Sequence, residues 1–301
     1  MLFVNNHNVY VETHGPDNGP VVILLHHGLG STRAWRAQIP ALVSAGYRVI
    51  AYDRWGYGGS DPRPALDVPS FAIDLADLCL LINHYLDTQI GADSKDGTNK
   101  SYADKENPYP TQTVNLIGHS DGGTLALYFA SKYPKYVSGL VTVAAHIYVE
   151  PKMLPGIEGV QLAFEHDPRF SEGLRRLHGQ KTESVFNNWY TGWHKTENIF
   201  WDMRPLLGNI KCPALIVQGL EDEHATPQHA RDIAAAIPSL GTNQTKLWLV
   251  EGAGHMFPQE MPEVFNHGVL SFLQDSFNRS LADIEHPADT EHPADKGHPA
   301  P

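Results

Sequence analysis

Ser120 lies within the run Gly118-His119-Ser120-Asp121-Gly122, which follows the apolar stretch Val114-Asn115-Leu116-Ile117. A serine flanked by glycines two before and two after it, between a strand and a helix, has the spacing of a nucleophile elbow. The sharp turn forces the serine backbone into a strained conformation, and the glycines leave room for the neighbouring strand and helix. Such a turn raises the hydroxyl into a cleft at a helix N-terminus. The pattern over 122–133 supplies that helix, with Leu125, Leu127, Phe129 and Ala130 apolar and Pro134 as its stop.

A serine hydroxyl is a poor nucleophile at neutral pH. It needs a base within hydrogen-bond reach, and the base needs an orienting carboxylate. The chain has 17 histidines, so position rather than number selects one. His255 closes the run Leu247-Trp248-Leu249-Val250-Glu251-Gly252-Ala253-Gly254-His255, on a glycine-loosened loop past the last strand. His119, inside the elbow, is expected to pack beneath it. The acid is expected between Ser120 and His255 in the chain. Asp222, after Gly219-Leu220-Glu221, suits that reach better than neighbouring Glu221. Asp53 precedes the serine and reads as a turn residue stabilised by its own side-chain bonding and a nearby arginine.

Acyl transfer also needs donors for a developing oxyanion. One is expected to be the N–H of Asp121, at the helix N-terminus. The other is expected from the loop His26-His27-Gly28-Leu29-Gly30, with Leu29 N–H as the candidate and Gly28 as the alternative. Two roles are open to the Asp121 carboxylate. It could face the pocket and pair with a cationic substrate group, or cap the helix and bond to the His26/His27 loop.

These residues require a sheet to carry them. Short apolar runs at 9–12, 21–25, 47–52, 114–117, 140–144, 214–218 and 246–250 read as strands, with helical patterns such as 70–86 and 228–236 between several of them. That alternation predicts an α/β fold: a mostly parallel sheet covered by helices on both faces. Ligands in such sheets bind at the carboxyl ends of the strands. Residues 148–208 are helical in pattern, dense in aromatics and without strand signals. They are expected to form a helical cap inserted before the acid-bearing strand, with Trp189, Trp193 and the acid Glu150 facing the substrate. The core is then 1–147 and 209–281. Residues 91–112 read as a polar insertion loop. From 282 to 301 the repeat Glu-His-Pro-Ala-Asp reads as a disordered tail.

With 42% apolar residues the 301-residue chain can bury a large core. Its net charge of −12 argues against a nucleic-acid partner. The two cysteines, Cys79 and Cys212, are far apart and have neither metal nor disulfide spacing, so free thiols and a cytoplasmic setting are expected. No secretory leader and no membrane-length apolar run is read. No metal or cofactor is expected. Oligomeric state is not legible.

As a set, Gly28-Leu29-Gly30, Asp53 to Ser60, Gly118 to Gly123, Asp222 and His255 resemble the α/β-hydrolase fold family, in order, over about 1–280. Ser120-Asp121-Gly122-Gly123, Lys132-Tyr133-Pro134-Lys135-Tyr136, Tyr148-Val149 and the run from Cys212 to Val217 are similar to its valacyclovirase (biphenyl-hydrolase-like) branch. The resemblance implies a cofactor-free serine hydrolase of small carboxylic esters. It also implies that Asp121, the acid after the nucleophile, holds the α-ammonium of an amino-acid ester. The extra histidine at 26/27, the 91–112 insertion and much of the cap depart from that branch. The same triad serves C–C hydrolases, lactonases and amidases, and receptors of this fold keep it without turnover.

Overall fold

The computed structural model describes residues 1–65, 71–86, 113–194, 201–239 and 244–285. The expected 91–112 insertion and the tail beyond 285 lie outside the described residues.

The chain opens with a hairpin, β1 (Leu2–Val4) and β2 (His7–Val9). Asn5 and Asn6 both take positive φ in its two-residue turn, as a hairpin of this length demands. The strand expected over 9–12 therefore divides at Tyr10 into β2 and β3 (Val11–His14). The elements that follow are β4 (Val21–Leu25), α1 (Gln38–Ser44), β5 (Arg48–Tyr52), α2 (Phe71–Leu86), β6 (Val114–His119), α3 (Asp121–Lys132) and β7 (Val137–Val143). Then come α4 (Met153–His166), α5 (Pro168–His178), α6 (Thr182–His194) and α7 (Arg204–Leu207). The chain returns through β8 (Ala214–Gly219), α8 (Gln228–Ala236), β9 (Thr245–Val250), α9 (Phe257–Glu260) and α10 (Pro262–Glu285). Residues 282–285, expected to begin the tail, continue α10.

Among the described residues, seven strands form one sheet in the order β3-β5-β4-β6-β7-β8-β9. Only β3 runs antiparallel to its neighbour; the others pair in parallel. Alternate residues feed opposite faces, as the strand period requires. Ile23 and Leu25 pack with Leu78 and Ile82 of α2 and Phe129 of α3. Val22 and Leu24 pack with Leu42 of α1 and Phe265 and Phe272 of α10. Both faces are thus covered, and the parallel strands present their carboxyl ends at one edge. The elbow, the 26–30 loop, the 222 loop and the 255 loop all leave from that edge. Among the described residues, the segment between β7 and β8 is helical apart from one isolated bridge, Tyr148 to Asp202. None of the described helices is long and apolar enough to cross a membrane.

Candidate active site

Ser120 ends β6 and caps α3 with φ 54° and ψ −119°. A non-glycine residue held there stores on the order of 1–3 kcal/mol. The surrounding packing enforces it. A Cβ at Gly118 would collide with the Gly122 carbonyl, and one at Gly122 with the Leu25 carbonyl. The Ser120 N–H donates to the Val143 carbonyl at 2.8 Å. Serine at a helix N-cap normally spends its hydroxyl on the first turn. Here the side chain makes no capping bond, and Ser120 borders a cavity of about 580 Å³.

His255 borders the same cavity. Its Nδ1 lies 2.9 Å from Asp222 Oδ2, with both side chains buried. Asp222 Oδ2 also accepts from Gln218 Nε2 at 2.7 Å, and Oδ1 from the N–H groups of His224 at 2.7 Å and Ala225 at 3.1 Å. Burial alone would raise the Asp222 pKa. The His255 hydrogen bond, the nearby histidines and the backbone donors outweigh it and hold the carboxyl well below the usual range. Burial likewise works to lower the His255 pKa, but bonding to Asp222 and its charge, with Glu223 and Asp121 behind, raise it above the ordinary histidine value. Glu221 is exposed and has no part in the cavity lining. The acid brought to His255 is Asp222.

His119 is fully buried beneath the elbow, as expected. Its Nε2 sits 2.8 Å from the His255 carbonyl, and burial drives its pKa down to about 3. Gly28, Leu29 and Asp121 line the cavity beside Ser120. As the first residue of α3, Asp121 has an N–H with no intrahelical acceptor. The doubled histidine has a structural explanation. His26 is buried, with Nδ1 2.8 Å from the His27 carbonyl and Nε2 accepting from the Arg54 N–H at 3.0 Å. Burial keeps it neutral, so it serves as a strut.

The Asp121 carboxylate faces inward partners. Oδ2 lies 3.4 Å from Arg54 Nη2, and Oδ1 accepts from Trp193 Nε1 at 3.2 Å. Arg54 Nη1 bonds Asp74 Oδ2 at 3.1 Å, and Arg63 Nη1 bonds Asp74 Oδ1 at 2.8 Å. Two buried cations thus balance two buried anions. Burial raises the Asp121 pKa, with Arg54 opposing.

Glu150 departs from expectation. It does not line the cavity. Its carboxylate accepts from Thr226 N–H at 2.5 Å and Thr226 Oγ1 at 2.9 Å, and stands 3.5 Å from His229 Nε2. Lys152 Nζ donates to the carbonyls of Asp222 at 2.6 Å and Ala225 at 3.2 Å. Glu150 and Lys152 therefore clamp the loop that carries Asp222. Asp53 is a turn residue as expected, accepting from Thr32 N–H at 2.6 Å and Gly59 N–H at 2.7 Å. The adjacent arginine, Arg54, points to Asp74 and Asp121 instead. Lys181 caps the carbonyls of that loop at Tyr57, Gly58 and Ser60.

Trp189 and Trp193 line the cavity, with Ile157, Val160, Phe170 and Leu174 from the helices beside them. Polar lining residues that were not anticipated include His146, Glu223 and His224. His146 follows β7, lies nearly parallel to the His255 ring at 5.8 Å, and has no hydrogen-bond partner among the described residues on either ring nitrogen. Its burial holds it neutral. Glu223 lines the cavity and accepts from the His255 N–H at 3.1 Å. Nothing in their local sequence distinguishes them from other loop residues. Among the described residues, no group of three or more His, Cys, Asp or Glu side chains is arranged to hold a metal ion.

A family model described as alpha/beta hydrolase fold matches residues 20–198, and a prolyl oligopeptidase family model matches residues 174–280. The chain is 28% identical over 257 residues to the serine hydrolase BPHL of Homo sapiens, covering 84% of this chain and 79% of that protein. It is 24% identical to a 2-hydroxy-6-oxo-6-phenylhexa-2,4-dienoate hydrolase of Burkholderia cepacia, covering 88% of this chain and 92% of the relative. Among solved structures, a thermophilic esterase from Thermogutta terrifontis superposes with a TM-score of 0.64 at 22% identity, covering 90% of this chain and 94% of the other.

Proposed function

The chain belongs to the alpha/beta hydrolase fold family, and on that premise we propose that it is a cofactor-independent serine hydrolase of small, uncharged carboxylic esters. The observation that carries the reading is Ser120, held at φ 54° with its side chain making no capping bond, in one cavity with a His255 bonded to Asp222. In this reading Ser120 Oγ attacks the ester carbonyl while His255 Nε2 takes its proton. Asp222 accepts the Nδ1–H bond, so it fixes the tautomer and stabilises the imidazolium. The N–H groups of Asp121 and Leu29 receive the oxyanion. His255 then protonates the departing alcohol, leaving an acyl-enzyme. Water, deprotonated by His255, releases the acid and restores Ser120.

The lining supports the substrate class. Among the described residues it includes Asp121 and Glu223, no lysine or arginine, and a wall of apolar side chains from α4, α5 and α6. The dienoate in the name of the Burkholderia relative is an anion, and among the described residues the lining here offers it no lysine or arginine. Arg54 and Arg63 are engaged with Asp74 and Asp121. That favours ester over dienoate cleavage. The helices α4, α5 and α6 act as the cap in this reading, lining the cavity over the strand ends.

The Asp121 carboxylate bonds Arg54 and Trp193 rather than the helix end or the His26/His27 loop, and that engagement supports a structural role over ammonium recognition. An ammonium placed there would compete with Arg54 for one carboxylate. Asp121→Asn is therefore expected to lower kcat/KM for a valine ester and its des-amino analogue in parallel, within about threefold of each other. Removing one partner of a buried pair also typically costs about 3–5 kcal/mol, so the melting temperature should drop. Steady-state kinetics on the two esters with both proteins checks this. A loss at least tenfold larger for the amino ester would restore ammonium recognition.

A further inference from the structure

We propose that His178 is a positioning residue that sets the oxyanion loop from the cap, so that the oxyanion hole is complete only while the helices between β7 and β8 are seated. The inference rests on the serine-hydrolase reading above.

The loop after β4 is held from two sides. On the core side His26 is the strut, and the Gly30 N–H closes a turn onto the His27 carbonyl at 3.1 Å. Leu29, inside that turn, has φ 59°. A leucine does not rest in the left-handed region unaided, because its Cβ crowds the following carbonyl. The holding contacts come from the helices. His178, at the end of α5, places Nε2 2.9 Å from the Leu29 carbonyl, and its Nδ1 accepts from the Gly58 N–H at 3.0 Å. Since Nδ1 accepts, the proton is on Nε2, which donates to Leu29. Both nitrogens of this buried ring are thus spent. Burial keeps the ring neutral, as the Nδ1 acceptor role requires.

Two further contacts act in the same direction. The Leu29 side chain packs with Leu174, Val185 and Phe186 of α5 and α6, and with Tyr57. The Trp189 indole of α6 lies so close over Gly28 that a Cβ there would collide with it. The helical segment therefore fixes the carbonyl and side chain of Leu29 and crowds residue 28. The peptide between those two residues carries the Leu29 N–H. If the cap lifts, the imidazole leaves the Leu29 carbonyl and the turn loses its hold on that N–H. Closing over a substrate and completing the oxyanion hole become one event, and water in an open site meets an incomplete one.

The test compares the full chain with His178→Leu and His178→Gln on a p-nitrophenyl ester, with rates divided by sites titrated with a fluorophosphonate so that unfolded protein does not count. Removing one oxyanion donor outright costs roughly 10²–10³ in kcat. Misplacing one is expected to cost about 10- to 100-fold in His178→Leu, with KM within about threefold. The glutamine amide can donate to Leu29 or accept from Gly58, though it spans the two less well. It should fall between the leucine variant and the wild type, at least about threefold below the latter. Should the leucine variant not fold, the glutamine variant decides alone on that threshold. A melting temperature that drops while kcat per titrated site stays at the wild-type level would overturn the proposal, as would a change confined to KM. The wild type and Ser120→Ala, run alongside, separate the two readings. No turnover and no titratable site in the wild type defeats the hydrolase reading, whereas an active wild type with unaltered His178 variants defeats only this one.

Discussion

Ser120→Ala is expected to lower kcat by about 10⁴- to 10⁶-fold, with KM changed little and the fold retained. The size follows from what the substitution removes. The oxyanion donors and the cavity are untouched, and they sustain only a residual acceleration over water. The nucleophile and the covalent route are gone. Stability should barely move. The substituted alanine keeps the same Cβ, so the strain at φ 54° persists, and the lost hydroxyl makes no capping bond. Steady-state kinetics with circular dichroism checks both halves. Activity within tenfold of wild type would mean that another group attacks the ester.

His255→Ala should fall nearly as far, and the double variant with Ser120→Ala should be scarcely worse than either alone, because the residues act as a unit. In the proposed mechanism the working base is the neutral imidazole of His255. Its pKa stands above the ordinary histidine value because the buried Asp222 bond and charge outweigh desolvation. As pH falls through that raised pKa the imidazolium accumulates and the base is lost. The acid limb of kcat/KM should therefore lie above about 6.5. Asp222→Asn removes the raising influence and the carboxylate that selects the tautomer. It should lower kcat by about 10⁴-fold and move the acid limb downward. A pH–rate profile of wild type and Asp222→Asn reads both effects. An unmoved limb would show that Asp222 does not set the His255 proton. A damaging Glu221→Gln beside a harmless Asp222→Asn would transfer the role to the neighbour.

What was legible in the sequence were features whose cause is local. Val21–Leu25 is a strand because five consecutive apolar residues serve two covered faces, and the elbow is set by glycines within two residues of Ser120. Ser120, Asp222 and His255 each follow a strand end in the sequence, so the three could be proposed together as a triad from the sequence alone. The first hairpin was missed because its strands are three residues long and its signal rests on Asn5-Asn6 alone. The balanced cluster around Arg54 was illegible for another reason. It joins Asp121 to a residue 67 positions away, and no period or motif links them. Glu150 shows the same limit. A carboxylate at the start of the helical segment suits a pocket wall as well as a clamp, and only the packing of Thr226 and His229 against it decides. His178 reaches Leu29 across 149 positions. Contacts of that kind arise from how the helices seat on the strand ends, which local patterning does not encode.

The most direct test of the central claim is to treat the full chain with a fluorophosphonate, digest it and map the adduct by mass spectrometry. A phosphonyl group captures the serine that the base activates, because it mimics the tetrahedral intermediate of acyl transfer. One adduct per chain is expected, on Ser120, formed in step with loss of esterase activity and absent after His255→Ala. An adduct on another residue in step with inactivation, or an active enzyme that the reagent leaves unlabelled, would contradict the assignment of Ser120 as the nucleophile.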